Sequence, residues 1–518
     1  MSEEINRNKD RDVINNTNVD NEHLFPLFFK KIKFERFRHI EDLSVEFRNP
    51  ITIISGSNKS GKTTILLSIA CSHYNFKRRN VSNGTLERNR WGDIMRFTKF
   101  DKQFQDWTYY VNYKEGKKIV NDKRGQRKHI TNKWNGVAKK ESQIGTPTAN
   151  KPDGGRSVIL IDLERILPGR GVSSSFYNKI KNTESSTALS SIKIDYLSYV
   201  LEVNYEVGSI LKSADKEIFK FKSNNYNYSS FNTASGEDVL SRIISDIIDT
   251  ENNSLVLIEE IEIGLHPKIQ RRLMDVIYHE AKKNNKQFII TTHSPTVLSS
   301  VDKASRVFIE KSVNGFRTIN EISVNAAFSK MDSLSYPLLN LFIEDDIAEK
   351  IVKKAIEKIE EERKLSGFSE LVNIIISDAA NDTYLNFKVH QRTHKSKKIE
   401  CGYACILDGD MRNKKDKNHD FQYTEEDGLF FLYSNDSPEL FLVKKYLEIN
   451  PNENMQYHLQ SNPHCLFDKM VEFRLAVDNN VAFEKCWECF VKTNDGIIFI
   501  DELCQFLINT CKRFSPDL

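Results

Sequence analysis

Apolar and polar positions alternate from Leu24 to Phe47 ("LFPLFFKKIKFERFRHIEDLSVEF"). A period of two is the mark of a half-buried strand, whose successive side chains point to opposite faces. The pattern then changes. Ile51 to Ile54 is apolar without interruption, as in a strand covered on both faces, and "KTTILLSIACSHY" continues with helical spacing. "DWTYYVNYKEGKKIVND" predicts an aromatic hairpin, and "SVILIDLERILP" predicts another buried strand with an exit loop. Residues 175–222 are expected to be mostly helical, without sustained heptads. From Asp238 to Thr292 helix and strand alternate ("VLSRIISDIID", "SLVLIEE", "KIQRRLMDVIYHEAKK", "QFIITTH"), the order that builds a parallel sheet. "ASRVFIEKSVNGFRTINEI" adds a hairpin.

A polar stretch near Ala327 to Ser335 separates this region from a second alternation: "LLNLFIEDD", "IAEKIVKKAIEKIEEER", "LVNIIISDA" and "YACILDGD", with helices dominating after Pro438. The fold class predicted is α/β, with one domain over residues 25–330 and another over 336–518. Residues 1–24 are rich in Asn, Asp, Glu and Arg and are expected to be disordered. A basic, polar insertion at about 114–155 is expected to be a mobile loop.

The chain has 518 residues, enough for two or three domains with substantial cores. Its net charge of +3 imposes no global field. Basic stretches at Lys114 to Lys140 and His390 to Lys398 fit either phosphate-backbone contacts with a nucleic acid or solubilising loops. No apolar run is long enough to span a bilayer and no signal peptide is evident, so a cytoplasmic protein with no membrane partner is expected. Eight cysteines in a chain of this length fit a reducing compartment rather than a disulfide framework. Cys486 and Cys489 form a C-x-x-C with His464, Cys465, Cys504 and Cys511 not far off in sequence, which raises a zinc site. "FEKCWECFVK" nevertheless reads as a helix, where cysteines three apart face the core.

The chemistry concentrates in a few motifs. "GSNKSGKTT" (Gly56, Ser57, Asn58, Lys59, Ser60, Gly61, Lys62, Thr63, Thr64) follows a strand and opens a helix. That context lets backbone N–H groups cradle phosphates, Lys62 reach the β- and γ-phosphates of ATP, and the Thr63 hydroxyl ligate Mg²⁺. "LVLIEEIEIGLHP" ends an apolar strand in Glu259 and Glu260. Glu259 is placed to orient the metal and Glu260 to polarise the attacking water, with glutamate at a first position where aspartate is usual. "QFIITTHSP" sets His293 straight after a buried strand, where it would sense the γ-phosphate. "NTASGEDVL" offers Ser235 and Gly236 at a helix start, either an anion cap or an ordinary helix entry. "GIIFIDEL" (Gly496 to Leu503) mimics the acidic strand but has no phosphate loop beside it, and it is read as core.

Phosphate loop, Ser-Gly-Glu, acidic strand with Gly-Leu-His-Pro, then Thr-His-Ser-Pro: in this order the motifs resemble the ATP-binding-cassette ATPases of the recombination-and-repair branch. "IEIGLHP" and "TTHSP" resemble the overcoming-lysogenization-defect (OLD) group, over roughly Phe29 to Glu321. The resemblance implies paired ATPase heads in a homo-oligomer, with Ser235 and Gly236 of one copy capping the γ-phosphate held by the other.

"ACILDGDMR" runs a buried strand into Asp408 and Asp410, which fits a metal site or a solvated loop. Beside it, "LFIEDD" ends in Glu344. Together these resemble the Toprim fold of OLD nucleases, and the resemblance implies Glu344, Asp408 and Asp410 as metal ligands, with Glu439 at the matching acidic helix start. Two departures stand out: Asp345 where family nucleases have glycine, and "SDAANDTY" without the usual glycines. "FIEDDIAEKIV", "LDGDMR" and "DSPELFL" joined to this ATPase resemble more closely the PtuA ATPases of Septu-type antiphage systems, which retrons also use. That resemblance implies a separate HNH nuclease partner, a reverse transcriptase with its RNA–DNA product where a retron is involved, and a degenerate Toprim-like domain used for structure or docking. A self-sufficient OLD-type nuclease is the alternative. A DNA-repair or chromosome-structure ATPase is a third reading, against which the missing coiled-coil arm argues.

Overall fold

The computed structural model describes residues 5–515 except 22–23, 80–85, 102, 150–151, 153, 164–176, 179–180, 182–185, 214–215, 224–225, 234, 313–314, 333–335, 364, 395–400 and 416–421. The chain divides into two compact units, Met1–Val324 and Asn325–Leu518.

An eight-stranded sheet organises the first unit, in the order Gly315–Asn320, Arg306–Ser312, Ile51–Gly56, Gln287–Thr291, Leu255–Ile258, Ser157–Ile161, Asn75–Arg79 and Leu86–Arg88. The inner pairs are parallel and both edge pairs antiparallel. Ile51–Gly56, Ser157–Ile161, Leu255–Ile258 and Gln287–Thr291 are buried at every position. This is why their sequences are apolar runs rather than alternations. Register aligns Ile54 with Thr291, and Ile258 with both Ile161 and Ile290. The loops that follow these strands therefore leave the sheet along one edge, where open parallel sheets gather ligands.

A five-stranded antiparallel sheet contains Leu27–Phe37 and Ile40–Glu46, the segments whose sequences alternate between apolar and polar. It also contains Lys118–Arg127 and Trp134–Gly136, so the expected mobile loop at 114–155 is corrected in these parts to strands. Aromatic packing holds them. Trp134 stacks on buried Trp91 with ring centroids 4.8 Å apart, and Arg127 lies 3.8 Å over Phe97.

The expectation of helix over 175–222 is also corrected. Among the described residues the helix Ser191–Leu201 stands beside an antiparallel sheet of Ser186–Ala188, Tyr205–Ser213, Lys216–Ser223 and Tyr226–Ser229. "IFKFKS" buries Ile218, Phe219, Phe221 and Ser223 and leaves Lys220 exposed, a strand pattern too short to outweigh the surrounding polar residues.

The expected disordered tail contains a helix, Arg7–Asn15, capped by the Asn6 side chain accepting from Lys9 N. Its Asp10 is 1% exposed and accepts hydrogen bonds from His279 Nδ1 (2.9 Å) and Lys282 Nζ (2.8 Å) of the helix Pro267–Asn284. Arg11 pairs with Asp275 of the same helix at 3.4 Å. Polar composition conceals order here because the charges have buried partners far along the chain.

The second unit is built on four parallel strands in the order Val372–Ile376, Leu339–Ile343, Gly402–Leu407 and Leu429–Phe431. Phe342, Phe387, Tyr403, Leu407 and Phe431 belong to its core. "GIIFIDEL" lies within the helix Asn494–Phe514 and buries Phe499, Ile500 and Leu503. The zinc site raised by the cysteines does not form among the described residues. Cys486 is buried with its sulfur 3.5 Å from that of Met470, and Cys504 donates to the Ala355 carbonyl. No described helix is long and apolar enough to cross a membrane.

Candidate functional site

The strand Ile51–Gly56 delivers the chain into a tight loop. Gly56 has φ +151°, and a Cβ there would sit 2.5 Å from the Ile309 carbonyl oxygen, so only glycine fits. At the far end Gly61, φ +95°, lies against Ile40, where a Cβ would be 2.5 Å from Cδ1. Between them Lys59 takes a left-handed turn, and Ser57 and Asn58 remain accessible to solvent. The helix Lys62–Cys71 then starts with no side-chain cap from Gly61, which leaves the orphan N–H groups of its first turn to an anion. Ser60 Oγ is buried without a protein partner, and Thr64 is buried in the helix.

Lys62 is 7% exposed, and its Nζ donates to the carbonyls of Gly56 (2.7 Å) and Ser57 (3.1 Å). Burial lowers its pKa to about 8 against the opposing pull of Glu260, Glu262 and Glu259. The ammonium is thus partly stripped of water and poised to gain from phosphate oxygens.

Glu259 and Glu260 sit at the end of Leu255–Ile258. Thr63 Oγ1 donates to Glu259 Oε1, so the hydroxyl and carboxylate expected to serve Mg²⁺ are already neighbours across the strand gap. This donor set of hydroxyl and carboxylate oxygens fits Mg²⁺, which would be held by Thr63, through Glu259, and by nucleotide phosphates. Glu260 has φ +43°, and its N–H donates to Thr291 Oγ1 at 3.0 Å. Its Oε1 lies 4.0 Å from His293 Nε2. Burial and then the Lys62 charge hold His293 below the ordinary histidine pKa, against Glu262 and Glu260.

Glu262, which the motif reading passes over, fixes this arrangement. Its Oε2 accepts from Thr292 Oγ1 at 2.7 Å and its Oε1 from the His293 N–H at 2.6 Å. An acid between two isoleucines in "EIEIG" was the available signal. Two other contacts were not legible: His39 Nε2 lies 3.2 Å from the Lys59 carbonyl, and Ser294 Oγ donates to Gln270 Oε1 at 2.6 Å. Gln270 in turn donates to the Leu265 carbonyl, tying Thr-His-Ser-Pro to Gly-Leu-His-Pro.

Phosphate loop, Glu259, Glu260 and His293 therefore converge. Gly236, near the start of the helix Ser235–Asp249, lies instead against the Gly-Leu-His-Pro turn, where a Cβ would be 2.6 Å from the Gly264 carbonyl oxygen. The side chain of Ser235 is outside the described residues.

In the second unit, Glu344 and Asp408 lie at the ends of adjacent parallel strands, and Asp408 N–H donates to Glu344 Oε1 at 2.6 Å. Asp408 is 5% exposed, with Oδ1 buried and unpartnered. Burial, followed by the charges of Glu344, Asp345, Glu439 and Asp410, raises its pKa well above the usual carboxylate range. Burial likewise raises Glu344. Asp410 is paired with Lys414 at 2.7 Å. Gly409 between the aspartates has no room for a side chain, because a Cβ would be 2.4 Å from the Ser434 carbonyl oxygen. Glu344 and Asp408 are thus adjacent and Asp410 is close enough to act on both, but among the described residues the three do not close into a three-ligand cluster.

Residues 151–299 match the family described as "AAA domain, putative AbiEii toxin, Type IV TA system". The matched stretch contains the acidic strand and His293, and with the phosphate loop ahead of it the chain carries a P-loop ATPase domain. Among curated proteins, the "Retron Ec83 probable ATPase" of Escherichia coli is 29% identical over 159 residues, covering 28% of this chain and 27% of that protein. The "Retron Vc95 probable ATPase" of Vibrio cholerae serotype O1 biovar El Tor is 33% identical over 128 residues, covering 21% and 24% respectively. Both are distant homologues, and the chain spans about a quarter of the length of the curated relatives it matches. Solved structures with similarity include the SMC head domain from Thermotoga maritima, 14% identical with a TM-score of 0.33, covering 56% of this chain and 98% of that one. Another is the SmcHead bound to the C-winged helix domain of ScpA, 13% identical with a TM-score of 0.39, covering 56% and 97%.

Proposed function

We propose that this chain is the ATPase component of an antiphage defence system of the retron or Septu type, a PtuA-like protein that hydrolyses ATP between paired heads and thereby controls an associated HNH nuclease. The observation that carries the reading is the Thr63–Glu259 hydrogen bond with Glu260 and His293 beside it. It supports a complete hydrolytic site in a chain homologous to retron ATPases. Lys62 and the loop N–H groups bind the phosphates. Glu260 orients a water for attack on the γ-phosphorus and takes its proton as the bond to the β-phosphate oxygen breaks. His293 contacts the γ-phosphate. Ser235 and Gly236 of a second copy would close the site, and bound Mg²⁺ supplies charge neutralisation on the phosphates. A nucleic acid, including the RNA–DNA product of a reverse transcriptase, is the trigger or cargo this reading expects.

The test is purification with the products of neighbouring open reading frames. Co-purification of an HNH protein or a reverse transcriptase, with hydrolysis lost in Lys62→Ala, is expected. Hydrolysis unchanged in Lys62→Ala refutes the ATP site, and a chain that purifies with neither protein refutes the partner assignment.

One observation favours a second reading, an OLD-type nuclease with its own Toprim-like metal site: the unpartnered Asp408 Oδ1 beside Glu344. Nicking of plasmid by the chain alone with Mg²⁺ or Mn²⁺, lost in Asp408→Ala, would establish it.

A further inference from the structure

Three segments far apart in sequence bring a second set of metal-ligating groups together in the C-terminal unit. Asp345 precedes the helix Asp346–Glu362, Glu439 lies in the first turn of Pro438–Ile449, and His464 lies in the short turn Pro463–Cys465. One ligand atom from each falls within 4.8 Å of the other two.

Each group is held in place independently. Asp345 Oδ1 accepts from the N–H groups of Ile347 (2.9 Å) and Ala348 (2.8 Å), which fixes its carboxylate at the helix start. Asn462 accepts from His464 N–H and anchors that turn. His464 Nδ1 lies 2.9 Å from Glu439 Oε1, while its side chain remains 65% exposed. Glu439 is the decisive member. It is 4% exposed, yet its second oxygen, Oε2, is buried and has no partner.

A purely structural role accounts for the Glu439–His464 pair but leaves that oxygen orphaned, with a second carboxylate close by. His464 offers these acids a positive partner only when it is protonated, and where the imidazole is neutral a cation supplies both the missing charge and the missing bond to Glu439 Oε2.

We infer that Asp345, Glu439 and His464 form a binding site for a first-row transition-metal dication. Two carboxylates and one imidazole favour Mn²⁺, Fe²⁺ or Zn²⁺ over Mg²⁺, which prefers oxygen alone. The exposed imidazole gives the ion its route from solvent. Glu439 is the acid that the Toprim resemblance sets at a helix start, but here it is grouped with Asp345 and His464 rather than with Glu344, Asp408 and Asp410, and the inference depends neither on nuclease activity nor on the ATPase reading.

The experiment uses the full chain, stripped with chelator and titrated with Mn²⁺ at pH 8, with free Mn²⁺ followed by electron paramagnetic resonance. The expected result is a bound Mn²⁺ that a hundredfold excess of Mg²⁺ does not displace. His464→Ala should weaken this Mn²⁺ at least tenfold, as should Glu439→Gln, while His464→Asp restores much of it. Asp408→Asn should retain it. His464→Ala removes the partner of buried Glu439, so a thermal melt of each variant verifies that it is folded before it is titrated. No Mg²⁺-resistant Mn²⁺ in the parent chain overturns the site. So does undiminished binding in folded His464→Ala, and so does equal loss in Asp408→Asn, which would assign the ion to the other carboxylates.

Discussion

Glu262 receives the backbone N–H of His293 at 2.6 Å, while its other oxygen takes the hydroxyl of Thr292. One carboxylate thus sets the path of the chain where it leaves the strand Gln287–Thr291, and with it the aim of the histidine at the nucleotide site. Glu262→Ala should lower kcat for ATP hydrolysis by roughly 10- to 100-fold, the equivalent of about 1.5–3 kcal/mol for a hydrogen bond to a charged group. KM should change less than kcat, because the hydrogen bonds of Lys62 to the Gly56 and Ser57 carbonyls are untouched. Glu262→Gln keeps one acceptor and should recover part of the loss. Steady-state kinetics separate this positioning effect from a binding defect.

Glu260→Gln should uncouple closure from hydrolysis. The amide keeps the shape of the side chain but cannot accept the proton of the attacking water. Turnover should fall by at least about a hundredfold, in line with the loss of a general base, while ATP-dependent pairing of heads persists. Size-exclusion chromatography with and without ATP checks both halves, and a Glu260→Gln chain that stays monomeric in ATP contradicts the paired-head arrangement.

Asp10 fastens the N-terminal helix. Burial pushes its carboxyl upward, but hydrogen bonds from Lys282 and His279 outweigh this and hold it below the ordinary aspartate value of 3.8. A lowered folded-state pKa means stability that is present above that value and is lost as pH falls through the folded one. Asp10→Ala leaves Lys282 and buried His279 without their partner and should cost about 3 kcal/mol. The melting temperature at pH 7 should drop by several degrees, and the gap between variant and parent should narrow in acid.

Asp408 has the opposite sign. Its folded-state pKa is raised by burial and by the Glu344, Asp345, Glu439 and Asp410 charges. Its protonated form is favoured in the fold, so its contribution is fullest in acid and declines as pH rises through neutrality. Asp408→Asn removes the ionisable group, and with it the cost of protonating it on folding, and should raise the melting temperature at pH 7.5 in chelator. Added Mg²⁺ should stabilise the parent chain more than the variant. A lower melting temperature for Asp408→Asn in chelator would refute this account.

What could be read from the sequence follows from the range of the forces involved. The phosphate loop, Glu259, Glu260 and His293 stand next to uninterrupted apolar runs, and a buried parallel strand announces both itself and the position of its end. The carboxylates at 344 and 408 were legible for the same reason. The Arg7–Asn15 helix was not, since its order depends on residues more than 260 positions away. Glu262 was missed because its importance lies in a bond to a residue 31 positions on. His464 was legible only as a neighbour of the cysteines, because its partner Glu439 lies 25 positions back in the chain.

The contact between position 236 and the Gly264 carbonyl bears on how this protein can lose its function. Any residue larger than glycine at 236 would drive its Cβ to 2.6 Å from that oxygen, whether or not a nucleotide is ever bound. Packing alone therefore preserves Gly236. A chain that could no longer bind ATP would still require glycine at this position.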